Sequence, residues 1–190
     1  MNETIKRHIS DNKQNFAWDS MTMGVCYYPE HWSEDLWAAD LTRMKDTGIS
    51  VIRIGEFAWN KIEPAENEYD FSFFDRFLDL CSQKEMKVIF CTPTATPPAW
   101  LTEAHEETLN ARMDGVLYRH GCRKHYNYNS PVYLNYCRNI VEKSASHYGS
   151  HPAIIGWQID NELNCEVREF YSDADDLAFR LFVQEKYETR

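Results

Sequence analysis

Apolar positions along this chain follow two alternating rhythms. Short apolar runs bounded by turn residues predict strands, and stretches with apolar residues every three or four positions predict amphipathic helices. The first strand is expected at about Met23 to Tyr28, followed by a helix from about Glu34 to Thr47. Ser33 is placed to cap that helix and Gly48 to stop it, with Leu36, Trp37, Leu41 and Met44 on one face. The second strand is Ser50 to Ile54. After a loop through Glu63-Pro64-Ala65-Glu66-Asn67, the second helix runs from about Phe73 to Glu85. The third strand, Lys87 to Cys91, is stopped by Pro93, Pro97 and Pro98. A long irregular segment then spans about Ala99 to Asn129, a length that in a compact domain signals either function or structure the pattern does not reveal. Ser130-Pro131 opens the third helix, with Leu134, Cys137, Val141 and Ala145 as its expected stripe and Gly149 as its end. The fourth strand is Ala153 to Asp160, and the fourth helix runs from about Asp173 to Tyr187 behind Ser172.

Four βα units in this order imply a parallel sheet with right-handed crossovers. An open doubly wound sheet would carry a glycine-rich phosphate turn after the first strand. Here that turn reads Tyr28-Pro29-Glu30-His31-Trp32, with no glycine. The better fit is an α/β fold of the (β/α)8 TIM-barrel type, truncated to about its first four βα units. Such barrels run to about 250 residues, and this chain has 190 and stops at Arg190, at the end of a helix. Residues 1–22 are expected to be an N-terminal extension and 23–190 the N-terminal half of the barrel.

At 43% hydrophobic and 14% aromatic, the chain has enough apolar surface for one sizeable core. A net charge of −10 argues against nucleic acid, whose phosphates it would repel. No apolar run approaches the roughly 18 residues of a membrane span, and the polar N-terminus has no signal-peptide core. Six cysteines without a C-x-x-C pair fit free thiols, with Cys26, Cys81, Cys91 and Cys137 expected to be buried. These features together point to a cytoplasmic protein.

The strongest chemical signal is Ile154-Ile155-Gly156-Trp157-Gln158-Ile159-Asp160-Asn161-Glu162, a strand expected to be covered on both faces that runs into an Asn-Glu pair. At the carboxyl end of a barrel strand, Glu162 is placed to give and take a proton, with Asn161 orienting substrate or the carboxyl itself. Glu30 and Glu56 also follow strands, and the plainer account of each is a loop carboxylate paired with a base. Arg53 lies inside a strand and needs a partner there. The basic run Arg119 to Asn127 stands out in an acidic chain, and its Arg123 falls on the strands' carboxyl side. The spacing of His120 and His125 matches no standard zinc pair.

These residues lie in ordered motifs: Gly24-Val25-Cys26-Tyr27-Tyr28-Pro29-Glu30, Arg53-Ile54-Gly55-Glu56-Phe57-Ala58-Trp59, Thr92-Pro93-Thr94-Ala95-Thr96-Pro97-Pro98-Ala99-Trp100-Leu101, Asn129-Ser130-Pro131 and Gly156 to Glu162. In them the chain resembles glycoside hydrolase family 42, the β-galactosidases, from Met23 to Tyr187. The resemblance implies a retaining β-galactosidase acting on terminal β-D-galactosides, with Glu162 as acid/base and Asn161 and Arg123 contacting galactose. It assigns the nucleophile to a seventh strand, for which this chain has no counterpart, so the chain alone is expected to be inactive. Full-length members are often trimers, which implies a homotrimer for a full-length protein. Some members hold a structural zinc through cysteines. Here Asn127 takes the first of those positions and only Cys165 follows Glu162, so no metal or other cofactor is expected. Two alternatives stay open: another β-glycosidase of the same fold, and a non-catalytic half-barrel that binds sugar or a partner chain.

Overall fold

The computed structural model describes residues 21–163 and 165–187. The extension expected over 1–22 lies outside them except for Met21 and Thr22.

Among the described residues four strands form one parallel sheet in the order β1-β2-β3-β4: β1 Met23–Cys26, β2 Ile49–Ile54, β3 Lys87–Cys91 and β4 Ile154–Gln158. Between them run α1 Glu34–Asp46, the short α2 Trp59–Ile62, α3 Ser72–Gln83, α4 Ala99–Ala104 and α5 Pro131–Tyr148, with α6 Asp173–Tyr187 after β4. The architecture is four consecutive βα units of a (β/α)8 barrel.

Alternation along the strands decides the two faces. Ile52, Ile54, Val88 and Phe90 point to one side and are fully buried against the helices. There Trp37 and Leu41 of α1, Phe74, Phe77 and Leu78 of α3 and Ile140 and Tyr148 of α5 complete the core. Burying each large side chain of this kind stabilises by about 1.5–3 kcal/mol. The register row Cys26, Arg53, Ile89 and Gly156 looks to the opposite face. That face is polar at its carboxyl end, where Arg53 meets Glu56 and Gln158.

Several sequence expectations shift. The fourth strand was expected to be covered on both faces, yet all five β4 residues are only half-buried. Cys26 was expected to be a buried thiol and is exposed, as are all four residues of β1. β1 and β4 form the two edges of this sheet and have a neighbour on one side only. The stripe of α5 is rotated: Tyr133, Tyr136, Ile140, Ser144 and Tyr148 are buried, while Leu134 is exposed. Tyrosine hydroxyls make that face possible, since Tyr133 donates to the Thr94 carbonyl at 2.7 Å and Tyr148 to the Phe71 carbonyl at 3.2 Å. The Ser33 hydroxyl turns to Asp35 instead of capping α1, whereas Ser130 does accept from the Tyr133 N–H at 3.3 Å. The long segment after β3 is organised by α4, a 3-10 turn at Glu106–Thr108 and antiparallel bridges Leu109–Tyr126 and Ala111–Leu117.

Candidate functional site

Parallel strands put all their carboxyl ends along one edge of the sheet. Glu30 follows β1, Glu56 follows β2, the basic loop follows β3, and Asn161 and Glu162 follow β4, so every candidate gathers at that edge.

The structure brings two of the expected site residues into direct contact. Arg123 Nη2 pairs with Glu162 Oε2, and Arg123 Nη1 stands 3.9 Å from Glu166 Oε1. Both partners of the first pair are half-exposed, so the pair faces solvent and is open to exchange. Beside it lies a cleft of about 340 Å³ lined by Phe57, Thr96, Pro97, Arg123, Lys124 and Asn161, among others. Asn161 Oδ1 accepts from Gln158 Nε2 at 3.5 Å, and its N–H donates to Asp160 Oδ1 at 2.6 Å.

The other carboxylates separate into two cases. Glu56 is 2% exposed and takes an ion pair from Arg53 at 2.7 Å and the Tyr28 hydroxyl at 2.7 Å. This is the base-paired carboxylate expected from the sequence, and it also supplies the partner that Arg53 needs. That bond and burial push the Tyr28 phenol up to about 12, burial being the larger cause. Glu30 departs from its expected pairing. Both its oxygens are sealed from solvent, with no hydrogen-bond partner among the described residues. Desolvation accordingly holds its carboxyl above the usual range.

The basic loop is exposed from Arg119 to Arg123, but Lys124, His125, Tyr126 and Asn127 are buried. The His125 Nδ1–H donates to the Cys122 carbonyl at 2.7 Å, and His120 Nδ1 bonds the Thr102 hydroxyl at 2.9 Å. Burial pulls His125 below the ordinary imidazole range. Among the described residues no three His, Cys, Asp or Glu side chains are gathered to hold a metal ion. Where the resemblance would put a zinc thiolate, the buried Asn127 amide donates to Ser172 Oγ at 2.6 Å and Asp175 Oδ2 at 2.5 Å. Those donor groups do not suit zinc; they clasp the loop to the start of α6.

Three residues important to the geometry escaped the reading of the sequence. Gln158, Asp160 and Lys124 each touch Asn161. Their adjacency to Asn161-Glu162 and Arg123 was the only available signal.

Parallel βα units with candidate chemistry gathered at the strands' carboxyl ends define a segment of an α/β-barrel protein. The sequence profile of the glycoside hydrolase family 42 β-galactosidases matches residues 26–190, and the chain belongs to that family. It is 39% identical over 170 residues to the β-galactosidase BgaH of Haloferax lucentense, covering 89% of this chain and 26% of that protein. It is 40% identical over 168 residues to a Thermus thermophilus β-galactosidase, covering 88% of this chain and 26% of the relative. Among solved structures, the β-galactosidase of the psychrophile Marinomonas ef1 superposes with a TM-score of 0.86 at 44% identity, over 89% of this chain and 26% of that one. That of the Antarctic haloarchaeon Halorubrum lacusprofundi gives 0.85 at 37% identity, over 88% and 25%. The chain thus spans about a quarter of the length of the relatives it matches. Among the described residues no helix is long and apolar enough to cross a membrane.

Proposed function

We propose that this chain is the part of a retaining β-galactosidase that carries the acid/base, Glu162, with Arg123 and Asn161 binding the galactose hydroxyls. The observation that carries this reading is the meeting of Arg123, from the loop after β3, with Glu162, from the end of β4, beside an open cleft. Family membership supplies the substrate class.

In retaining hydrolysis one carboxyl protonates the leaving oxygen while a second, about 5 Å away, attacks the anomeric carbon. The resemblance assigns the second carboxyl to a strand beyond these four units. The 190-residue chain by itself is therefore expected not to hydrolyse a nitrophenyl galactoside. Glu162 must hold a proton to act as the acid, and substrate is expected to draw Arg123 away from it onto its own hydroxyls. A half-exposed pair yields readily, because exposed ion pairs contribute only about 0–1 kcal/mol.

The test uses the protein carried through all eight strands. Glu162→Gln is expected to lose most turnover on a galactoside with a poor leaving group and less on an activated nitrophenyl galactoside, which needs little protonation. Azide is expected to rescue the activated substrate by replacing the base-assisted water. Equal loss on both substrates without rescue would move the acid/base role away from Glu162.

A further inference from the structure

We propose that Lys124 is a positioning residue for the sugar site, gripping the backbone of Asn161 together with Asp160 and so fixing Arg123 against Glu162. The inference rests on the assignment of Arg123, Asn161 and Glu162 as that site.

Lys124 is 4% exposed, in a loop whose preceding residues, Arg119 to Arg123, are all exposed. An ammonium leaves water only at a cost, so a buried lysine needs a full set of acceptors. Lys124 has one: Nζ donates to the Asn161 carbonyl at 2.5 Å, the Tyr128 hydroxyl at 3.0 Å and the Tyr126 hydroxyl at 3.2 Å. An ammonium has three donors, and all three are used. The Asp160 carboxylate stands 3.8 Å away as counter-charge.

Asp160 holds the other end of the same residue. Its Oδ1 accepts the Asn161 N–H at 2.6 Å, and its Oδ2 accepts the Thr94 hydroxyl at 2.8 Å. The buried pair therefore brackets Asn161, with the cation on its carbonyl and the anion on its amide. Burial works against the charge on Lys124 and lowers its proton affinity, while Asp160 opposes that loss.

The backbone bends to make this contact. Lys124, Asp160 and Glu162 all have left-handed backbones, at φ 57°, 56° and 46°. Residues with a side chain adopt that region uncommonly, Asp more readily than Lys or Glu. Three such residues, two in contact and the third next to Asn161, indicate two loops locked together. Lys124 is turned inward to Asn161 while its neighbour Arg123 reaches Glu162. With its donors spent, Lys124 acts through those neighbours.

The experiment compares Lys124→Met, Lys124→Arg, Arg123→Ala and Asn161→Ala in the eight-stranded protein. It measures kcat and KM on a nitrophenyl galactoside, affinity for 1-deoxygalactonojirimycin, and the melting temperature. Lys124→Met is expected to weaken iminosugar affinity by about tenfold or more, since small misplacements of binding groups are costly. Lys124→Arg, which keeps the buried cation but is larger and flatter than the ammonium, is expected to retain part of the affinity that Lys124→Met loses. Combined with Arg123→Ala, Lys124→Met adds much less than its separate effect, as expected of residues acting as a unit. A Lys124→Met protein that melts earlier but keeps its affinity and KM would overturn the proposal. If Lys124→Met does not fold, Tyr128→Phe removes one partner of Nζ and keeps the ring. It is expected to weaken affinity by about twofold or more, and unchanged affinity would again overturn the inference. If Arg123→Ala and Asn161→Ala are themselves silent, the site assignment falls and this inference with it. If they weaken binding while Lys124→Met does not, this inference alone falls.

Discussion

Arg53 Nη1 donates to the Gln158 amide oxygen at 2.6 Å and thereby ties β2 to β4 across the intervening β3. Gln158 passes the connection on, its Nε2 donating to the Asp160 carbonyl at 2.8 Å. A polar chain thus runs from Tyr28 through Glu56, Arg53 and Gln158 to the residues that hold Asn161. It links the carboxyl edge of the sheet to the proposed sugar site.

Breaking that chain at Arg53 is expected to be severe. Arg53→Met would leave the Glu56 carboxylate buried with only two neutral donors, the Tyr28 hydroxyl and the weak Cys91 thiol at 3.8 Å, and the loss of one partner of a buried pair costs about 3–5 kcal/mol. Arg53→Met combined with Glu56→Leu should recover most of that loss. Urea unfolding of the two single variants and the double would show it, and a double no more stable than Arg53→Met would contradict the pairing.

Glu30 offers the opposite case, a stabilising substitution. Its folded carboxyl titrates above its unfolded value, so the folded state holds the proton longer. Stability from this group is full below the unfolded value of 4.5 and is lost as pH rises through the folded value. Glu30→Gln is expected to raise stability at neutral pH, with no gain near pH 4. Melting curves at both pH values would decide it.

His125 sets an acid limb. Burial lowers its folded pKa below 6.5, with His120, at 4.8 Å between ring centroids, adding repulsion. The unfolded chain therefore takes up a proton first, and stability falls as pH drops from 6.5 towards the folded value. His125→Phe is expected to flatten that part of the profile, measured as denaturation midpoint against pH. An unchanged slope would place the titrating group elsewhere.

Arg123 should resist conservative replacement. In the eight-stranded protein Arg123→Ala is expected to lower kcat/KM on a nitrophenyl galactoside by roughly a hundredfold. Arg123→Lys should recover little, because a lysine lacks the planar fork that spans two hydroxyls. Full activity in Arg123→Lys would reduce the role of Arg123 to a point charge.

Much of this protein is decided by local pattern. The βα alternation gives the parallel sheet, because strand and helix periodicities are set by neighbouring residues and short connections allow few topologies. Ser130-Pro131 marks the start of α5, and the Ile154–Gln158 run marks β4, since capping and strand propensity act within a few positions. The ordered motifs, up to Asn161-Glu162, also make the family legible. Other features depend on residues far apart in the chain. Tyr133, Tyr136 and Tyr148 form the buried face of α5 only because Thr94, Glu66 and Phe71 supply acceptors for their hydroxyls. Glu30 and Glu56 look alike in sequence, yet one has no hydrogen-bond partner among the described residues and the other is held by Arg53 and Tyr28. Lys124 reads as one more charge in an exposed basic run, and only its contact with Asn161, 37 positions along the chain, makes it a buried anchor. Charge and polarity are written at each position, but whether a charged group is solvated, paired or stranded is a desolvation balance. That balance is set by the partners tertiary folding brings within hydrogen-bonding distance.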